Sequence, residues 1–205
     1  MIDLLRQTRF GKKSKNWIER FATKIPLKPN QITISAIFLA ILGFLAIYSN
    51  QLLLGFPLFL ISGFFDAIDG AVARAKNQKT NFGFFLDGVS DRIVEFLFIL
   101  SLLFLPFPDV PKEFLLFTLL FFSLTIPYLK AYAEHSRTLT HEEALRMGGI
   151  FERSERLVLF YMILASAILG FGSVSSLLLL VGILLAFITF IQRFYYVIKH
   201  YSKKV

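Results

Sequence analysis

Apolar residues come in long blocks along this chain, and the blocks are interrupted at one end rather than alternating with polar positions. Gln31 to Ser49 is a run of 19 uncharged residues, about the 20 that a helix needs to cross the hydrocarbon core of a bilayer. Leu52 to Phe65 is apolar but short, and it reaches that length only by continuing through the charged DAIDGAVARA segment. Phe84 to Leu105 reverses the polarity, with Asp87, Asp91, Arg92 and Glu95 in its first half and FLFILSLLFL after them. Further spans are predicted at Phe114 to Ala133, Arg156 to Gly170 and Val174 to Ile198, the last interrupted by Gln192 and Arg193. The expected fold is therefore an all-α integral membrane bundle of six transmembrane helices. Spans 2 and 3 carry their charges at the same membrane face.

Composition agrees with this reading. Hydrophobic residues make up 56% of the 205, with 25 Phe, above the roughly 45 to 50% of soluble domains even with Gly counted. There is no Cys, so disulfides, thiolate metal sites and cysteine nucleophiles are excluded, and any metal must be held by oxygen or imidazole.

The net charge of +8 suits nucleic acid, anionic lipid or a phosphorylated substrate, and its placement chooses among them. Six spans put both termini on one side. Of the 22 Lys and Arg, only Lys112 falls in the short loops around residues 50, 109 and 172. The positive-inside rule then makes the terminal side cytoplasmic. Ahead of span 1, Ile18, Phe21, Ala22 and Ile25 recur at helical spacing beside Trp17, preceded by Arg6, Arg9, Lys12, Lys13 and Lys15. That pattern predicts an N-terminal interfacial amphipathic helix on an anionic leaflet, with a disordered basic tail as the alternative for the first residues. The basic excess is accounted for without nucleic acid.

Asp66 and Asp69 are spaced i, i+3, and Asp87 and Asp91 i, i+4, so each pair projects from one face of its helix. A charge at the centre of a span costs roughly 2.5 to 3.5 kcal/mol on insertion scales, so four acids are expected to face a polar cavity or a cation. Close carboxylates repel and take up protons unless positive charge neutralises them. Two divalent ions about 3.5 to 4 Å apart would supply that charge, and an all-oxygen ligand set favours Mg²⁺ or Mn²⁺. Gly70, Ala73 and Gly83 remove side-chain bulk, for a substrate or for helix packing. Arg74 adds a forked cation.

The combined pattern, Asp66-x2-Asp69-Gly70-x2-Ala73-Arg74-x8-Gly83-x3-Asp87-x3-Asp91, resembles the signature of the CDP-alcohol phosphatidyltransferase family at all eight fixed positions. Eight residue types at about 5 to 8% each coincide by chance on the order of once in 10¹⁰ starting points. The resemblance implies one membrane domain over 1–205, a juxtamembrane helix in 1–30 and a six-helix bundle in 31–198. It implies a CDP-linked lipid donor, CDP-diacylglycerol or CDP-archaeol, loss of CMP, and attack by an acceptor hydroxyl whose proton goes to Asp91. Asp66, Asp69 and Asp87 are then metal ligands, and Asp91 both ligand and base. Gly70, Ala73, Arg74, Thr80 and Gly83 carry over as CDP-lipid contacts. Pro29-Asn30-Gln31-Ile32-Thr33 resembles the family's Pro-Asn-x-x-Thr segment at the nucleotide site, and it also reads as a helix start with Asn30 as N-cap. A homodimer in the cell membrane is implied by the resemblance and not by the residues themselves.

The acceptor is not set by the aspartate motif. A phosphorylated acceptor calls for converging Lys or Arg, and Lys130, Arg153, Arg156 and Arg193 lie at similar depth on the cytoplasmic side. Each alone also reads as a snorkelling basic residue at a span end. The segments GIFERSERLVLF (149–160) and KAYAE (130–134) are similar to those of synthases that attach inositol phosphate to CDP-diacylglycerol or CDP-archaeol, which implies inositol 1-phosphate as acceptor. Glycerol 3-phosphate, as in phosphatidylglycerol phosphate synthesis, is the alternative within the class. An ion-coupled anion carrier is the alternative outside it, and it would place its acids nearer the midplane in repeated halves.

Overall fold

The computed structural model describes residues 25–108 and 110–202; the expected amphipathic helix before residue 25 lies outside them. The described residues form α1 (Pro29–Tyr48), α2 (Leu52–Ala75), α3 (Asn81–Leu102), α4 (Lys112–His135), a short α5 (His141–Arg146), α6 (Arg153–Ile168) and α7 (Gly172–Tyr201), with no strand among them. Four of these, α1, α2, α4 and α7, are long and apolar enough to cross a membrane, which makes the chain a multi-pass membrane protein. α3 has the length but carries Asp87, Asp91, Arg92 and Glu95. α6 has 16 residues, about 24 Å at 1.5 Å per residue.

The helices associate as two groups. α1 packs along α2 and α3, α7 packs along α4 and α6, and α2 and α3 meet α6 between the groups. Lipid tails offer no hydrophobic drive between helices, so close packing and interhelical hydrogen bonds hold them together. Ser62 Oγ donates to Ala36 O at 2.7 Å across α2 and α1, and Tyr161 OH donates to Phe59 O at 2.8 Å across α6 and α2. At Gly182 on α7 a Cβ would overlap the Leu159 side chain of α6, so these two helices approach as closely as they do only because the residue is glycine.

The central seam is aromatic. Phe98 packs tilted against Phe59 with centroids 4.2 Å apart and against Phe160 at 5.5 Å, and edge-on to Tyr161 at 5.1 Å. Phe59 precedes Asp66 by seven residues and Phe98 follows Asp91 by seven, just under two helical turns, so each aromatic shares a face with its aspartate. A dry packed layer thus lies beneath the carboxylates and fixes the spacing of the helices that carry them.

Candidate active site

The N-terminal ends of α1 and α3 and the C-terminal end of α2 surround a cavity of about 310 Å³. α1 begins one residue before the asparagine expected to cap it. Pro29 is the first helical residue, where its missing N–H costs nothing, and Lys28 is the N-cap. Asn30 is therefore not the N-cap but lies inside the first turn, with its side chain at the cavity. Gln31 turns back to accept from Lys28 N at 2.9 Å, and Ile32 is buried against Ala71 and Val72. Of the expected Pro29 to Ile32 set, Pro29 and Asn30 line the cavity, joined by Thr33.

Thr33, the last residue of the Pro-Asn-x-x-Thr segment, donates through its hydroxyl to Asp69 Oδ2 at 2.6 Å, a pairing the sequence did not announce, with both residues 4% exposed. Lys76 Nζ holds the approach to α1 by donating to Ile25 O at 2.6 Å and Leu27 O at 2.9 Å. α2 stops just beyond Arg74 because Asn77 adopts the left-handed conformation, φ 54°. Asn77 N then bonds Arg74 O and Gln78 N bonds Ala73 O, the paired closure of a Schellman motif. The loop carries Gln78 and Lys79 over the cavity, two lining residues the sequence reading did not name.

Asp69, Gly70, Ala73 and Arg74 line one wall, and Thr80, Gly83, Phe84 and Asp87 the other. Thr80 is the N-cap of α3, its hydroxyl accepting from Gly83 N at 2.9 Å while its own proton stays available. A Cβ on Gly70 would meet only Arg74 Nη1, at 3.5 Å. No helix presses on Gly70, so its small size opens the cavity rather than permitting packing.

Asp87 belongs both to the cavity and to a deeper cluster in which one oxygen each from Asp66, Asp87 and Asp91 lies within 4.8 Å of the others. Arg153, in the first turn of α6, places Nη1 2.6 Å from Asp66 Oδ2 and 2.6 Å from Asp91 Oδ1. The N–H is aligned for a hydrogen bond only toward Asp66. The segment before α6 aims this arginine. Phe151 N donates to Thr189 Oγ1 at 3.0 Å and Ile150 N to Gln192 Oε1 at 3.2 Å, and a Cβ on Gly149 would overlap the Thr189 side chain.

The other expected cations sit nearby with different partners. Arg193 donates through Nη2 to Glu152 Oε2 at 2.6 Å and through Nη1 to Ile126 O at 2.6 Å. Lys130 is half-buried one turn beyond Ile126 on α4. Arg156 is 1% exposed and spends its guanidinium on Glu95, Nε to Oε1 at 2.5 Å and Nη2 to Oε2 at 3.3 Å, and on Phe151 O at 3.2 Å. Arg153 Nε and Nη2, and Arg193 Nε, are buried without a hydrogen-bond partner.

These residues fit a divalent cation. The donors are all carboxylate oxygens, three converge within 4.8 Å, and Asp66 Oδ1 is buried with no hydrogen-bond donor. Hard oxygen sets of this kind match Mg²⁺ or Mn²⁺.

Residues 27–192 match the family model described as CDP-alcohol phosphatidyltransferase. An archaetidylinositol phosphate synthase of Pyrococcus horikoshii is 34% identical over 189 residues, covering 89% of this chain and 92% of that protein. The crystal structure of Mycobacterium tuberculosis phosphatidylinositol phosphate synthase with CDP-DAG bound matches with a TM-score of 0.73 at 27% identity, over 89% of this chain and 92% of that one. The same synthase in complex with manganese and citrate matches at 0.70 and 27%, over 89% and 88%. The eight-residue motif, the cavity it lines and the family model over most of the chain agree, and this chain belongs to the CDP-alcohol phosphatidyltransferase family.

Proposed function

We propose that this protein transfers a phosphatidyl-type group, diacylglycerol phosphate or archaeol phosphate, from a CDP-lipid to the hydroxyl of inositol 1-phosphate and releases CMP. One juxtaposition supports this reading above all. A cavity lined by Pro29, Asn30, Gly70, Ala73, Arg74, Thr80 and Gly83 opens onto the Asp66, Asp87 and Asp91 cluster, and arginines with buried unpartnered N–H groups stand at the cluster's other side.

In the proposed mechanism the cavity takes the cytidine diphosphate. Asn30, Arg74, Lys79 and Thr80 offer polar contacts, and Gly70 and Ala73 leave room for the diphosphate. Asp66, Asp87 and Asp91, with Asp69 oriented by Thr33, would hold the metal. When bound, Mg²⁺ or Mn²⁺, as two ions, would neutralise the diphosphate and the charge developing on the leaving CMP oxygen. Asp91 accepts the acceptor's proton as its oxygen bonds to the lipid-bearing phosphorus and the phosphorus–CMP bond breaks. Arg153 offers the Nε and Nη2 edge, a fork that matches two phosphate oxygens, with Arg193 and Lys130 beside it. Arg156, held on Glu95, supports this wall from behind.

The named products of the relatives favour inositol phosphate over glycerol 3-phosphate. α3 and α6 complete six spans in this proposal, the charged half of α3 facing the site instead of lipid. The positive-inside pattern puts the site and both termini on the cytoplasmic side of the cell membrane. The proposal includes the homodimer that the family resemblance implies and a single domain over 1–205. The test is CMP release by purified protein with Mg²⁺ and CDP-lipid, offered inositol 1-phosphate, glycerol 3-phosphate, inositol or serine in turn. Release is expected with inositol 1-phosphate; release only with a neutral acceptor overturns the anion wall.

A further inference from the structure

Glu95 lies one turn beyond Asp91 on α3, outside the eight motif positions, and is completely buried. A buried carboxylate in a membrane bundle is costly even when paired, and an apolar pair of the same volume is often as stable. Its partners suggest what it does. Glu95 Oε1 and Oε2 take Arg156 at 2.5 and 3.3 Å, and Glu95 Oε2 also takes Arg92 Nη1 at 3.1 Å.

Arg92 is the immediate neighbour of Asp91, and its Nη2 makes only a long hydrogen bond to Asp91 Oδ2, 3.5 Å, at the outer limit for such a bond. Two acceptors draw it away. One is Glu95; the other is Ser123 O on α4, 3.3 Å from Nη1. That carbonyl lacks its helical donor because the residue four positions on is Pro127, which has no N–H. If Glu95 loses its charge, Asp91 becomes the anion nearest to Arg92, and a carboxylate gripped by a second guanidinium besides Arg153 binds protons and cations less well.

We propose that Glu95 is a positioning residue that keeps Arg92 from closing on Asp91, so that Asp91 meets Arg153 but no second close guanidinium. The inference rests on the reading of Asp91 as ligand and base. Its test is a rescue. Wild type, Glu95→Gln, Arg92→Gln and the double variant are reconstituted in lipid nanodiscs, and Mn²⁺ affinity is measured by electron paramagnetic resonance alongside kcat for CMP release.

Glu95→Gln is expected to weaken Mn²⁺ binding and to lower kcat by about tenfold or more, the scale of one charge-assisted contact. The double variant is expected to recover both to within about threefold of Arg92→Gln alone. A role confined to folding gives no rescue, so a double variant as impaired as Glu95→Gln overturns the proposal, as does a Glu95→Gln protein equal to wild type. If Glu95→Gln fails to fold, Glu95→Met with Arg156→Met removes the pair without stranding a charge. The same defect and the same rescue by Arg92→Gln are then required. Should wild type prove inactive with inositol 1-phosphate, the Mn²⁺ measurement still decides the role of Glu95, while the acceptor comparison decides the reading it rests on.

Discussion

Thr33 offers the sharpest single perturbation of the site. Its hydroxyl proton has two acceptors in reach, Asp69 Oδ2 at 2.6 Å and Pro29 O at 3.2 Å, and the shorter contact to a charged oxygen takes it. Thr33→Val keeps the shape and removes the donor. Both residues are 4% exposed, and a hydrogen bond to a charged group contributes about 1.5 to 3 kcal/mol. That corresponds to a loss of about ten- to 150-fold, expected in the affinity for Mn²⁺ or for CDP-lipid because Asp69 is lost to both when it turns. Titration of the purified variant with Mn²⁺ and with CDP-lipid reads the effect directly. Thr33→Ser, which restores the hydroxyl, is expected to recover most of it. A folded Thr33→Val protein within twofold of wild type on both titrations would refute the reasoning, and a Thr33→Ser protein as weak as Thr33→Val would assign the effect to the lost methyl group.

Four further outcomes follow from the same geometry. Asp91→Asn is expected to lower CMP release by about 10²- to 10⁴-fold, the range of general-base catalysis, with CDP-lipid binding changed far less; a titration of both quantities checks it. Arg153→Lys keeps the charge but loses the fork, so the KM for inositol 1-phosphate is expected to rise about tenfold or more with the donor KM changed far less, and an equal rise in both points instead to misplaced aspartates. Gly70→Leu is expected to raise the donor KM while leaving the unfolding temperature in detergent unchanged, since nothing but Arg74 meets a Cβ there. Gly182→Ala should do the reverse, because overpacking against Leu159 costs about 1 to 3 kcal/mol.

The site was legible in the sequence wherever its logic is local. Helical spacing pairs Asp66 with Asp69 and Asp87 with Asp91, and the small residues between them mark where bulk is excluded; the structure puts Asp69, Asp87 and the small residues on the walls of one cavity, and Asp66 and Asp91 in the deeper cluster that shares Asp87. The long apolar runs mark α1, α2, α4 and α7 because hydropathy is summed along the chain. α6 is harder to read, since its 16 residues begin with RSER and fall short of a full span.

What the sequence hides is pairing between helices. Thr33 meets Asp69 only after α1 packs on α2, and no spacing along the chain announces it. Asn30 reads as an N-cap because asparagine favours that position, but Pro29 already fits the first helical turn and moves the boundary back. Gln31 and Ile32 point away from the cavity for the same reason of helical phase. Arg156 has the sequence context of an anion ligand, whereas its burial follows from Glu95, an acid 61 residues away on α3.

The measurement that bears most directly on the account is the product of a single incubation. Purified protein in lipid nanodiscs with Mg²⁺, CDP-diacylglycerol and inositol 1-phosphate is assayed for CMP and, by mass spectrometry, for lipid. One phosphatidylinositol phosphate is expected per CMP released, with both products absent after chelation of the metal or in Asp91→Asn. CMP appearing without the inositol phosphate lipid, or both products persisting in Asp91→Asn, would contradict the assignment of this aspartate cluster to the transfer.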